Sequence, residues 1–280
     1  MNENEFKLFF KQHSENVDNS NTLGFWKLTD EVLKTYLLES MPKRDGVTLV
    51  DFGGGTGRWL QDLDPYFTNS RFIIVDLSQD MLSKAQVKVD RGAYTNHIRL
   101  INADISRHID GLLDASADYI ISTYNPLSFV SEPQNVIDEA FRILKSGGTA
   151  QITVQGYYNA LFSKVNNSLA DATELEEIFQ EKKVKWNPSV PRLWQLPKSD
   201  MEEFFVRSEF TKVESRGIAT IIQPQGEDFD PENKQLGSLS KKLNEDKSFY
   251  DTLLKIELAA GKDQNAIDRA MNILTLGIKP

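Results

Sequence analysis

Four glycines fall within five positions in the run Asp51-Phe52-Gly53-Gly54-Gly55-Thr56-Gly57. A β-branched segment, Val47 to Asp51, precedes it, and a helical pattern starts at Arg58. Glycines at a strand-to-helix turn let the backbone bend sharply and approach a ligand closely. The helix amino terminus behind them favours an anionic group. Asp76 follows Gly53 by 23 residues, at the end of the next apolar run, near the ~20-residue offset at which an acid accepts hydrogen bonds from ribose hydroxyls. Each feature alone has a plainer reading, the glycines as a packing turn and Asp76 as a helix cap. Together, at consecutive strand ends of one sheet, they point to an adenosine-bearing ligand across the carboxyl edge.

Two such ligands compete. A dinucleotide loop G-x-G-x-x-G needs its third glycine at position 58, where Arg58 stands, with Gly57 one residue early, so NAD fits poorly. By contrast, Asp51-x-Gly53-x-Gly55-x-Gly57, Val75-Asp76-Leu77-Ser78, Asn102-Ala103-Asp104-Ile105 and Ile143-Leu144-Lys145-Ser146-Gly147-Gly148 resemble, in order and spacing, the motifs of class I S-adenosylmethionine-dependent methyltransferases. The resemblance covers about residues 45–155. It recurs in Phe204-Phe205, in Phe210 to Val213 and in the closing Ile273 to Pro280, which are similar to the tail of the small-molecule "type 11" group that includes ubiquinone and menaquinone biosynthesis enzymes. The resemblance implies S-adenosyl-L-methionine as cofactor. Gly53, Gly55 and Gly57 would line its methionine moiety with Asp51 near the ammonium, and Asp76 would take both ribose hydroxyls. Asp104 would lie beside the adenine amine with Ile105 against the ring, although from local sequence Asp104 equally caps the next helix. Leu77 and Met81 read as packing residues.

The loop after the fourth apolar run, Ser122-Thr123-Tyr124-Asn125-Pro126-Leu127-Ser128-Phe129, faces the reactive methyl in that family. Asn125 and Tyr124 are the candidate catalytic residues, expected to orient a nucleophile by a hydrogen bond. Asn125-Pro126 is similar to the Asn-Pro-Pro-aromatic motif of amino-group methyltransferases, but Leu127 replaces the second proline and the aromatic is displaced to Phe129, which rules that motif out. The small-molecule group often has histidine near position 129, so Phe129 argues against a loop-borne general base. The histidines, His13, His97 and His108, read as solvated residues, His13 within an extension where the family often builds a lid. No His/Asp/Glu cluster has metal-ligand spacing, and no Ser-His-Asp or phosphate-loop pattern is present.

Positioning these residues requires an α/β sheet. Short β-branched runs at 47–51, 71–76, 98–102, 118–123 and 149–154 alternate with helical patterns, the form of a parallel sheet covered by helices. We expect a Rossmann-like, doubly wound, mostly parallel seven-stranded sheet with an antiparallel last strand. Residues 1–45 read as a helical amino-terminal lid or extension, with the clearest helix from Leu28 to Met41. The cofactor-binding core spans 46–155. Residues 156–197 read as an insertion forming a substrate cap, helical around 160–169 and 173–183, with Tyr157, Tyr158, Phe162, Trp186 and Trp194 as aromatics. Residues 198–280 complete the sheet, with helices around 198–208, 241–258 and 265–269 and strands at 212–222 and 273–278.

The chain has 280 residues with 32 Lys and Arg against 41 Asp and Glu, a net charge of −9, which excludes an ordinary basic nucleic-acid binder. It is 40% hydrophobic and 26% charged, and cysteine is absent, so it reads as a globular protein without disulfides or thiolate metal sites. No segment reaches the ~18 apolar residues of a membrane span, and cytoplasm is the default location. The expected activity is methyl transfer to an O, N or C nucleophile of a small, partly apolar metabolite, by a monomer or homodimer without membrane or nucleic-acid partners. Protein or RNA methylation and a non-catalytic S-adenosylmethionine-binding module are the alternatives. Since no metal cluster is legible, methyl transfer from labelled donor should persist in excess chelator; activity restored by one divalent ion would refute this.

Overall fold

The computed structural model describes residues 18, 22–168, 170–186, 191–229 and 237–280. Residues 1–17 and 19–21 of the expected extension, including His13, lie outside them. Helix α1 (Gly24–Glu39) comes first, and Phe25, Leu28, Val32, Leu33, Tyr36 and Leu37 form its buried stripe at three- and four-residue steps. Then come β1 (Thr48–Phe52), α2 (Arg58–Leu63), β2 (Arg71–Asp76), α3 (Gln79–Asp90), β3 (His97–Asn102), β4 (Ala117–Ser122), α4 (Pro133–Ile143) and β5 (Leu144–Gly156). Ser78 caps α3, accepting from Met81 N at 3.3 Å, and Pro133 starts α4, where a missing N–H costs nothing.

The sheet runs β3-β2-β1-β4-β5 in parallel. Its register sets Leu49, Phe72 and Tyr119 abreast on one face and Val50, Ile73 and Ile120 on the other. Each face has its own apolar layer, which explains why these strands read as nearly continuous hydrophobic runs. Beyond β5 lies β9 (Asn272–Ile278), antiparallel to both β5 and β8 (Thr211–Ile218). The expected seven-stranded core with its antiparallel last strand is therefore present.

Two further strands appear among the described residues. In the insertion, α5 (Tyr157–Asn166) and α6 (Ala172–Glu181) are followed by β6 (Lys183–Val184) and β7 (Leu193–Leu196). These pair with each other, and β7 continues parallel to the end of β5 through Gln155 and Gln195. Strands of two and four residues are too short to show alternation in sequence. After α7 (Lys198–Arg207), the expected helix at 241–258 divides into α8 (Ser238–Glu245) and α9 (Lys247–Ala260), because Asp246 caps α9 by accepting from Phe249 N at 2.9 Å. Of the expected helix at 265–269, one 3-10 turn forms, Ile267–Arg269. Within β5 the run Ser146-Gly147-Gly148 bulges out of the pairing with β4, since Ala117 pairs with Leu144 and Tyr119 with Thr149, and Gly147 takes φ +76°.

Strand β8 stops at Ile218, where Ala219 takes φ +55°. The next three amides point at one fully buried carboxylate: Glu257 accepts from Thr220 N at 2.8 Å, Ile221 N at 2.9 Å and Ile222 N at 2.8 Å. Truncation strands those donors, so Glu257→Ala should lower the unfolding free energy in urea by roughly 3 kcal/mol or more; a loss below about 1 kcal/mol would show that water reaches them.

Candidate active site

The loop between β1 and α2 packs against two other parts of the site. A Cβ on Gly53, which has φ +70°, would lie 2.4 Å from Pro126 Cβ, so the loop after β4 rests directly on this glycine. On Gly54 a Cβ would meet the Asp51 carboxylate at 2.7 Å. Gly55 differs: the nearest atoms to a Cβ there are Met81 Sδ at 3.8 Å and Asp76 Oδ2 at 3.9 Å. The loop is thus closed against protein at Gly53 and Gly54 and leaves room at Gly55. Gly57 opens α2, and its carbonyl accepts from Tyr94 Oη at 3.0 Å.

Beneath this loop two carboxylates are brought together. Asp51 is fully buried, and neither of its carboxylate oxygens has a hydrogen-bond partner among the described residues. Asp76 Oδ2 accepts from Gly55 N at 2.9 Å and Oδ1 from Ser78 N at 2.7 Å, which leaves each oxygen a further acceptor site. Burial raises the pKa of Asp76 to about 6 against these two amides. It raises that of Asp51 well above the usual carboxylate range, and the neighbouring charge of Asp76 adds to the rise. A buried, unpaired acid of this kind requires a cation or a proton.

At the end of β3, Asp104 is occupied with its own turn. Its Oδ1 accepts from Ser106 N at 2.9 Å and Ser106 Oγ at 2.7 Å, and Arg107 Nε lies 3.3 Å from Oδ2. Ile105 is buried in the core with Ile109 and Leu112. Asn102 braces the Asp76 strand end, donating to the carbonyls of Asp76 at 2.9 Å and Leu77 at 3.0 Å.

The loop after β4 holds two consecutive non-glycine residues in the left-handed region, Tyr124 at φ +55° and Asn125 at φ +69°. Asn125 N donates to Thr153 Oγ1 at 2.9 Å, and Thr153 Oγ1 donates to Ser122 O at 3.0 Å. Asn125 Nδ2 donates to Asn272 Oδ1 at 2.7 Å, while its own Oδ1 is buried without a partner among the described residues. Tyr124 turns elsewhere. Its hydroxyl donates to Asp30 on α1, which also pairs with Arg58, and its ring lies 5.9 Å from those of both Trp26 and Trp59. Burial raises the Tyr124 pKa, which keeps the phenol neutral.

Sequence reasoning missed Asp30, Thr153 and Asn272. Each sits on a regular helix or strand without a local motif, and only the tertiary fold brings it to the site. In sequence Arg58 reads as a helix start that breaks the dinucleotide pattern, and its pairing with Asp30 is not legible there. Asp18, ahead of α1, accepts from Thr56 Oγ1 at 2.8 Å and Lys88 Nζ at 2.9 Å, so part of the amino-terminal extension reaches the glycine loop.

A family model described as a methyltransferase domain matches residues 49–148, the segment that carries Asp51, the glycine loop, Asp76 and Asn125. Residues 49–148 are thus similar to a methyltransferase domain. A rice (Oryza sativa subsp. japonica) chloroplastic 2-methyl-6-phytyl-1,4-hydroquinone methyltransferase 1 is 28% identical over 127 residues, 45% of this chain; the chain spans about a third, 36%, of that relative's length. Among solved structures, a Thermotoga maritima S-adenosylmethionine-dependent methyltransferase, described as a possible histamine N-methyltransferase, shares the fold over 99% of both chains, with a TM-score of 0.58 and 15% identity. A Haemonchus contortus phosphoethanolamine N-methyltransferase 2, solved with phosphomonomethylethanolamine and S-adenosylhomocysteine, matches 90% of this chain and 52% of its own, with a TM-score of 0.54 and 18% identity. S-adenosylmethionine is the cofactor that the family implies, and the methyltransferase domain here has the chemistry to receive it: a buried acid lacking a cation, acceptors on Asp76, and open space at Gly55.

The two acids make the ligand-free domain sensitive to pH. A carboxyl with a raised folded-state pKa contributes stability below its unfolded pKa of about 4, and that contribution is lost as pH rises through the folded value, about 6 for Asp76. Ligand-free stability should therefore fall between about pH 4 and pH 7. Asp51→Asn should raise the urea midpoint at pH 7; an unchanged or lower midpoint would mean that Asp51 has a cationic partner in solution.

Proposed function

We propose that the chain transfers a methyl group from S-adenosylmethionine to an O, N or C nucleophile of a small molecule. The unpaired carboxylate of Asp51 beneath an open glycine loop carries this reading. The bound cofactor supplies an already activated sulfonium methyl. In our reading Asp51 pairs with its ammonium, Gly53, Gly55 and Gly57 line the methionine moiety with backbone, and Asp76 accepts from both ribose hydroxyls. Asp104 and Ile105 border the adenine. Residues 1–45 serve as the lid, 46–155 as the cofactor core, 156–197 as the acceptor cap and 198–280 as completion of the sheet.

At the acceptor side Asn125 is the orienting residue. Its amide nitrogen is committed to Asn272, so the unpartnered Oδ1 is the atom left to accept an O–H or N–H of the nucleophile. Tyr124 acts indirectly, because its hydroxyl is engaged by Asp30. With an activated donor, holding the reactants in line and excluding water can supply about 7–11 kcal/mol of the barrier reduction. The activity of the rice relative supports a small acceptor, and a net charge of −9 opposes RNA. A cytoplasmic location and a monomer or homodimer accord with this role.

Incubation with labelled donor and metabolite extract should give a labelled small molecule; label confined to protein or RNA would overturn the choice of acceptor, and binding without turnover would leave a non-catalytic module. By calorimetry, Asp76→Ala should weaken S-adenosylhomocysteine binding by roughly 1.5–3 kcal/mol. Affinity of the unaltered chain should fall as pH drops below about 6, where Asp76 takes up its proton. Asn125→Ala should cut turnover at least about tenfold, ~1.4 kcal/mol of transition-state stabilisation, while donor affinity stays within about 1 kcal/mol. Full turnover in that variant would remove Asn125 from the site.

A further inference from the structure

The insertion carries a hollow of about 540 Å³, to which Trp186 and Ile178 contribute apolar surface and six charged side chains the rest. Four of the six are cations. Lys164 is nearly fully buried, donating to Glu174 Oε1 at 2.6 Å and to the Lys185 carbonyl at 2.8 Å. Arg192 pairs with Glu177 at 3.2 Å and with Glu181 at 3.0 Å. Both carboxylates of the lining are thereby used. Lys183 Nζ lies 3.9 Å from the centre of the Trp194 ring, and neither it nor Lys185 has a carboxylate partner among the described residues. Two uncompensated positive charges thus face an aromatic-walled hollow in a chain of net charge −9.

This hollow is tied to the methyl-transfer face. Trp186 Nε1 donates to Gln155 Oε1 at 3.1 Å, and Gln195 Nε2 donates to the same oxygen. Gln155 N donates in turn to Ser128 Oγ at 3.3 Å in the loop after β4. Across the sheet Gln155 pairs with Asn272, the residue that holds Asn125.

We propose that the hollow receives the acidic end of the methyl acceptor, a carboxylate or a phosphate monoester carried on a flat apolar body. Lys183 and Lys185 would neutralise the anion and Trp186 would cover the ring. The inference rests on the methyl-transfer reading and narrows its acceptor class, from the small, partly apolar metabolite expected from sequence to an amphipathic acid.

The full chain can be titrated calorimetrically with phenyl phosphate and with benzoate, using benzyl alcohol and benzylamine as uncharged and cationic controls. We expect saturable binding of at least one anion in the micromolar to low-millimolar range and none of the controls; the tighter anion identifies the acidic group. A Lys183→Gln, Lys185→Gln double variant should weaken that binding at least about fivefold, as should ~0.5 M salt, while Lys241→Gln on α8 should not. Absence of saturable binding, equal binding of benzyl alcohol, or an unaffected double variant would overturn the site. S-adenosylhomocysteine, titrated in parallel, tests the methyl-transfer reading separately and should bind both forms equally. With labelled donor and limiting extract, the double variant should lose at least about tenfold in product; undiminished product would overturn the assignment of this anion site to the acceptor.

Discussion

The arrangement of this molecule turns on the burial of Asp51 and Asp76 at the carboxyl edge of the sheet. An ionised carboxylate withdrawn from water without a counter-charge costs several kcal/mol, and among the described residues Asp51 has neither a cation nor a hydrogen-bond donor. Such a defect persists only where the surroundings cannot relax to admit water. Here β1 is buried along all five residues, both faces of the sheet are packed, and Gly54 lies so close over the carboxylate that even a methyl group would collide with it. The rigidity of the core is what keeps the acid poised, and the stability that the fold loses there is recovered when a cationic ligand arrives.

The same constraint accounts for the close fit of the two loops. The donor side and the acceptor side of a methyl transfer must be held within a fraction of an ångström of their reactive separation. Gly53 and Pro126 meet in direct contact, so displacement of one loop displaces the other. Two left-handed residues, Tyr124 and Asn125, give the second loop its shape, at a cost of order 1–3 kcal/mol each. Asn272 and Thr153 from neighbouring strands, and Asp30 from α1, hold them in it.

What the sequence disclosed and what it withheld divide along sequence separation. Parallel strands buried on both faces announce themselves as β-branched runs, and a glycine loop followed by Asp76 lies within 26 consecutive residues, so fold class and donor motifs were legible locally. Asn272 stands 147 residues from Asn125 and Asp30 stands 94 from Tyr124; neither belongs to a local pattern, and each gains its meaning only once the chain is folded. The β6 and β7 strands escaped notice for another reason. A two-residue strand has no periodicity, and β6 pairs only with β7, which itself lies along the end of β5.

Charge is partitioned in the same sense as the chemistry. The donor, cationic at its ammonium and sulfonium, suits the acidic pair under the glycine loop. An anionic acceptor approaching a chain of net charge −9 would be repelled at long range, and screening at physiological ionic strength weakens that repulsion only beyond about 8 Å. Between Tyr157 and Leu196 the five acidic residues are matched by five basic ones, so the negative excess resides in the remainder of the chain. Within that neutral insertion Glu174 pairs with Lys164, and Glu177 and Glu181 with Arg192, while Lys182 pairs with Asp200 outside it, which leaves Lys183 and Lys185 beside Trp186 as a local positive field. An insertion required only to cover apolar surface would have no need of that separation, whereas one that must draw an acid toward an otherwise negative protein does.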